Sequence, residues 1–227
     1  MAALTHLFTP LRIRGCTLKN RIMSSGHDTT LPVDGTINAA LVAYQEARAR
    51  GGVGLIVLQV SGIHETARYT NHVLMATDDS SIAGYRNVAD AVHRFGTVLF
   101  AQLFHPGREM AEADGGLLNV AYAPSSIPNE RFHVMPRALK KAMIDSIVNG
   151  YGEAARRMQT AGIDGVEIVA SHGYLPAQFL NPRVNVRDDA YGGDLEGRLR
   201  FLREVIQSIR AATDNFFRCV RLRQYHR

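Results

Sequence analysis

The sequence predicts an α/β fold built on a parallel sheet, and three observations carry that prediction. Strand-length apolar segments begin near residues 22, 54, 97, 166 and 216, and a helical repeat follows each of the first four. GLIVLQV (Gly54 to Val60) and TVLFAQLF (Thr97 to Phe104) are apolar almost throughout, as strands covered on both faces must be. Helix-stop glycines stand just before strand entries, in GGVGLIVL and again in AGIDGVEIV. Right-handed crossovers join such units, so a (β/α)8 barrel and a doubly wound sheet both fit.

Taken in order, Phe8 to Lys19 sets Pro10 and Gly15 around short apolar pairs, which suits a hairpin before the main fold. Asn20 to Ser25 reads as the first strand, ending in Gly26, His27 and Asp28. A small residue there lets the backbone approach a planar ligand. Ala39 to Arg50 forms a helix stopped by Gly51 and Gly52. The loop after the second strand holds His64, Glu65 and His72 without metal-ligand spacing, and reads as surface. In the helix from Ile82 to Phe95, Tyr85, Val88, Ala89, Val92 and Phe95 fall on one face.

Gln102 interrupts the third strand, and a buried amide must find partners, either a backbone group or the edge of a cofactor. Glu109 to Pro136 is rich in Gly, Pro, Ser and Asn, and an ordered loop of that length suits a cover over a substrate opening. Lys140 to Ala161 is the longest helix, weakened by Gly150 and Gly152. Asp194 can cap a helix carrying Leu195, Leu199, Leu202, Ile206 and Ile209, and Phe216 to Leu222 is a fifth strand.

The 227 residues, 46% of them hydrophobic, suffice for one core. No apolar run approaches the ~20 residues of a membrane span, and no secretory signal opens the chain, so a cytoplasmic protein is expected. Cys16 and Cys219 are too few and too far apart in sequence for a disulfide framework or a zinc site, and read as core thiols. The net charge of +5 comes from scattered basic residues, which argues against nucleic-acid binding.

The stretch from Gly162 to Gly193 organises the rest. A buried strand, Val166 to Ala170, runs into a turn where Ser171, His172 and Tyr174 arrive within four residues. Titratable groups at a rigid strand end suit acid/base chemistry. His172 to Leu175, Gln178 to Leu180, Asn185 to Arg187 and Tyr191 to Gly193 together resemble a loop of the old yellow enzyme family, near its dienoyl-CoA reductase and trimethylamine dehydrogenase branch.

That resemblance implies a (β/α)8 TIM barrel, here a single incomplete FMN-binding unit over residues 1–227 that is truncated after about the fifth strand. The tail from Arg223 to Arg227 departs from the family pattern. It implies noncovalent FMN: Ser25 and Gly26 beside the ring, Val60 as a backbone contact, Gln102 at the pyrimidine edge and Arg221 near N1. Asp28 stands where the amine dehydrogenases carry the cysteine that binds flavin covalently. NADH or NADPH would reduce the flavin, and hydride would pass to the β-carbon of an activated alkene. Tyr174 would protonate the neighbouring carbon while His172 holds the carbonyl. Val169 replaces a second polar group that many ene-reductases use.

A 4Fe-4S cluster could belong only to a C-terminal part beyond these residues. A small-molecule substrate and a homo-oligomer are compatible with this reading, with no protein metal site, membrane or nucleic acid. Two alternatives stand beside alkene reduction: an amine-oxidising N-demethylase of the same family, and a catalytically inactive piece.

Overall fold

The computed structural model describes residues 4, 6–13, 15–110, 119–214 and 216–222. Strands β1 (Leu11–Ile13) and β2 (Cys16–Leu18) form the expected antiparallel hairpin. There follow β3 (Met23–Ser24), α1 (Ala39–Arg50), β4 (Leu55–Gly62), β5 (Leu74–Met75), α2 (Ile82–His93) and β6 (Val98–Phe104). Next come β7 (Tyr122–Ala123), β8 (Arg137–Ala138), α3 (Lys141–Thr160), β9 (Gly165–Ala170), α4 (Leu175–Leu180), α5 (Leu195–Ala212) and β10 (Phe217–Leu222).

The main sheet runs β3-β4-β6-β9-β10, parallel throughout, with β5 beside the end of β4. Its spatial order is the chain order, without the reversal of a doubly wound sheet. The helices lie on one face. Ile56, Leu58, Leu99, Ala101, Leu103, Val166 and Ile168 meet α1, α2, α3 and α5 there in one core. This is the winding of a (β/α) barrel, and the five strands are its first staves.

Period-two alternation sends the other residues to the concave face, which is tiered. At the floor Leu55, Val57 and Phe100 pack against Leu18 of the hairpin, with Leu11, Ile13, Cys16 and Cys219 around them. The hairpin plugs that end, pinned by Lys19, whose Nζ donates to the Phe95 carbonyl at 2.6 Å. At the rim Val60, Val73, Phe104 and Val169 gather with Tyr69 and Tyr174. Between floor and rim lie the polar side chains of Gln102 and Glu167. Both cysteines are half-buried at the floor rather than sealed in the helix-side core.

Several expectations shift. The first strand contracts to Met23–Ser24. The long loop acquires a two-residue parallel pair, β7 with β8, while its residues 111–118, like the tail 223–227, lie outside the described residues. Asp194 caps α5 as predicted, accepting from the Gly197 amide at 2.9 Å. His64 and His72 are half-buried rather than surface residues, and only Glu65 is exposed. The His72 Nδ1 lies 3.2 Å from the Pro32 carbonyl. His64 joins a chain of bonds: the Gly107 amide donates to His105 Nδ1 at 3.0 Å, and His105 Nε2 meets Thr66 Oγ1 at 2.8 Å. Thr66 Oγ1 meets His64 Nδ1 at 2.8 Å, and His64 Nε2 reaches Ser146 Oγ at 3.1 Å. The chain sews the loops after β4 and β6 to α3. Burial drives His105 down to about 3, which keeps it neutral.

Gly150 and Gly152 also prove to be more than weak points in a helix. A Cβ on Gly150 would stand 2.5 Å from the Ile63 carbonyl oxygen, and one on Gly152 2.5 Å from Ser208 Oγ. Their bare backbone lets α3 approach the end of β4 and α5. Gly150→Ala should therefore lower the thermal midpoint although alanine favours a helix by about 1 kcal/mol. Overpacking against fixed backbone costs about 1–3 kcal/mol, and a calorimetric scan that shows no loss would contradict the close packing.

Candidate active site

β9 ends at Ala170, and the chain then reverses within four residues. His172 has φ of 59° and Gly173 of 77°, both left-handed, and the Tyr174 amide closes the turn on the Ser171 carbonyl at 3.1 Å. A left-handed histidine costs about 1–2 kcal/mol, a strain that residues at working sites often carry. His172 is exposed, and its Nδ1 lies 2.7 Å from the Ser171 hydroxyl. With that hydroxyl donating, the ring proton sits on Nε2. Tyr174 leads into α4 with its ring centroid 6.0 Å from that of His172.

The motif residues around this turn hold its shape. Gln178 Nε2 donates to the carbonyls of Pro106 (2.9 Å) and Gly173 (2.7 Å), while its Oε1 accepts from the Arg108 amide (3.2 Å). That ties the loop after β9 to the loop after β6. Asn185 Nδ2 bridges the carbonyls of Phe179 and Tyr191, and Arg187 Nη1 reaches those of Pro124 and Leu139. A Cβ on Gly192 would lie 2.0 Å from the Arg187 carbonyl oxygen, so only glycine fits.

Tyr174 is half-buried at the rim. Phe104 meets its ring edge-on at 5.1 Å and meets Tyr69 at 5.5 Å. The rings of Tyr69 and Tyr174 meet edge-on with their centroids 6.5 Å apart. Tyr69 also donates to Asp28 Oδ2 at 3.1 Å, and Gln59 Nε2 donates to Asp28 Oδ1 at 2.8 Å. Gln59 can do this because β4 slips register between Leu58 and Val60, a bulge that redirects a buried side chain. Burial raises both phenols above their ordinary range, Tyr69 the more, so both stay protonated at neutral pH.

Below the rim runs a polar tier. Gln102 Nε2 donates to Glu167 Oε1 at 2.5 Å, and Arg221 Nε donates to the same oxygen at 2.7 Å. Gly26 closes the row: a Cβ there would stand 2.4 Å from Gln102 Cδ. Of the residues the sequence singled out, Gly26, Gln102 and Arg221 thus come together. Val60 sits at the rim, exposed Ser25 precedes Gly26, and Tyr174 with His172 overhangs from β9. Sequence reasoning missed Glu167, Tyr69 and Gln59. Glu167 carried a signal, a lone carboxylate inside an apolar strand, of the kind that drew attention to Gln102. Among the described residues no group of three His, Cys, Asp or Glu side chains could hold a metal ion.

Residues 6–226 match the NADH:flavin oxidoreductase / NADH oxidase family. The chain belongs to that family. Its relatives include a metal reductase of Desulforamulus reducens, 40% identical over 91% of this chain and 30% of the relative. An NADPH dehydrogenase of Geobacillus thermodenitrificans is 39% identical over 92% of this chain and 61% of its own length. The solved structure of morphinone reductase superposes with a TM-score of 0.84 at 31% identity, covering 94% of this chain and 61% of that one. The chain therefore spans less than two thirds of the length of these relatives. The family's FMN is compatible with the concave face: a glycine cradle at Gly26, an amide at Gln102 and a cation at Arg221 lie in one row above an apolar floor.

The tightness of that row is testable without any ligand. Gly26→Ala should cost stability on the order of 1–3 kcal/mol by displacing the Gln102 amide. In a Gln102→Ala background the same change should cost clearly less, read as a double-mutant cycle in urea. Equal costs in both backgrounds would mean that Gly26 and Gln102 do not meet.

Proposed function

We propose that the chain carries the substrate- and flavin-facing part of an NAD(P)H-dependent flavin oxidoreductase that reduces activated alkenes. The observation that carries this is the overhang of Tyr174 and His172 above the Gly26–Gln102–Glu167–Arg221 row, on strands that match the family along residues 6–226. On this reading residues 1–227 act as one FMN-binding barrel unit. Ser25, Gly26, Val60, Gln102 and Arg221 would hold FMN without a covalent bond.

Bound FMN would supply the redox centre that accepts hydride from NADH or NADPH and yields it to substrate. Arg221 would supply a cation to offset the negative charge of reduced FMN, and its bond to Glu167 fixes the guanidinium. Since Gln102 commits its amide nitrogen to Glu167, it offers the amide oxygen to a ring N–H. His172 donates to the substrate carbonyl and stabilises developing enolate charge. Tyr174, held neutral by burial, gives its proton to the carbon beside the one that takes hydride.

Val169 packs into the rim with Val60, Val73 and Phe104, so the position of a second carbonyl donor is apolar. That favours substrates activated strongly enough for one donor to suffice. It also keeps an amine substrate as the second reading, and assays of methylamines against enones separate the two.

The direct test is the visible spectrum of the chain after incubation with FMN and removal of excess. Retained yellow colour that bleaches with NADH or NADPH is expected, whereas a colourless chain would defeat the proposal. In the loaded protein, Tyr174→Phe should slow alkene reduction by about 10²–10⁴-fold and leave flavin reduction by the nicotinamide unchanged.

A further inference from the structure

Asp28 is an anion that the fold orients and does not neutralise. Its carboxylate accepts at both oxygens, from the Tyr69 hydroxyl at 3.1 Å and from Gln59 Nε2 at 2.8 Å, as the ionised form does. Gln59 is fully buried at the register slip in β4 and is held in turn by the His72 carbonyl and the Thr29 hydroxyl. Yet among the described residues no lysine or arginine pairs with Asp28. The chargeable groups that face it are His27 and His72. The ring of His27 is engaged by the Ser25 carbonyl and the Tyr44 hydroxyl, and that of His72 lies 3.2 Å from the Pro32 carbonyl. Asp28 itself is exposed. A surface carboxylate is ordinarily free to turn, so a buried amide committed to fixing one prepares it to meet a charge from outside.

Beside that anion stands an aromatic wall. The Phe104 ring meets Tyr69 edge-on at 5.5 Å and Tyr174 at 5.1 Å, and the two tyrosine rings are 6.5 Å apart. Val60 and Val169 pack around these rings, while both tyrosines stay half-exposed. Rings next to a fixed carboxylate suit an alkylated ammonium, whose methyl groups cover the aromatic surface while its charge meets the anion. They suit an anion badly. A primary ammonium, with three N–H groups to satisfy, is served less well by a wall that is mostly apolar.

We propose that Asp28, with the rings of Tyr69, Phe104 and Tyr174, recognises a substituted ammonium group on the substrate. The inference rests on the reading of this rim as the substrate end of the site, and it adds a positive charge to the small molecule bound there. Tyr69 has two parts in it, a ring for the alkyl groups and a hydroxyl that holds the carboxylate. The other charged groups near Tyr174, Glu109 and Arg131, carry opposite signs and leave Asp28 as the net charge.

The test uses the whole chain and two probes of one shape, choline and its uncharged carbon isostere 3,3-dimethylbutan-1-ol. Each is titrated while the ring signals of ¹³C-labelled tyrosine are followed by NMR. Choline should bind about ten-fold more tightly than the isostere, and added salt should narrow the gap. Asp28→Asn keeps the shape and loses the charge, so it should bring the two affinities together. Gln59→Met keeps the charge and releases its anchor, and should weaken choline while sparing the isostere, whose affinity reports that the wall is intact. Choline that binds no better than its isostere, or a preference that survives Asp28→Asn, would overturn the proposal. The readout needs no flavin, so the two readings fail separately. A chain that holds FMN and reduces alkenes but does not prefer choline keeps its proposed function and loses the ammonium site. A chain that prefers choline through Asp28 but takes up no FMN keeps the site and loses the reaction.

Discussion

The constraint on which this half of the barrel depends is a single buried carboxylate. Glu167 sits 7% exposed in the middle of β9, and such a charge persists in a sheet interior only if both neighbours answer it. Gln102 answers from β6 and Arg221 from β10, so one oxygen clasps three consecutive strands. That clasp fixes which residues face inward on all three. It also separates a dry floor, where the hairpin is packed, from a rim where chemistry needs polar groups. The Gln102 amide, the Arg221 guanidinium and the approach of Gly26 all follow from the place of one side chain.

Above that tier the rim is assembled from three loops, each tied to a different element. Gln59 reaches Asp28 from the bulge in β4, Gln178 joins the loops after β6 and β9, and the bonded series through Thr66 anchors the neighbouring turn to α3. Amides, hydroxyls and imidazoles carry most of these ties, whereas the clasp is built on the ion pair of Glu167 and Arg221. Neutral ties suit loops around a charged ligand, since they do not add to its field.

Much of the fold was legible because its signals are local. Apolar runs marked β4, β6 and β9, glycine pairs marked helix ends, and Asp194 announced its helix. Alternation of strand and helix alone left the winding open between a barrel and a doubly wound sheet; the resemblance carried by the Gly162–Gly193 stretch chose the barrel, and the spatial order of the strands agrees. Within the site, Tyr174, His172, Gln102 and Arg221 were accessible through a long shared motif or an anomalous polar residue in a strand. Glu167, Tyr69 and Gln59 were hidden for a different reason. Each acts on a partner at least 31 residues away in the chain, and no periodicity records such a meeting. The glycines of α3 misled in the same way, since a bare backbone reads as weakness until the helix it admits is seen.

The run from Gln178 to Gly193 has one more consequence. Asn185 and Arg187 spend hydrogen bonds on carbonyls of this stretch and of the segments beside it, and the missing Cβ of Gly192 makes room for the Arg187 carbonyl. The most recognisable words in the sequence therefore spell out a bracket, and say nothing of what the bracket holds. A bracket of this kind fixes the shape of a mouth without choosing its diet, and any discrimination between ligands would have to come from side chains outside it.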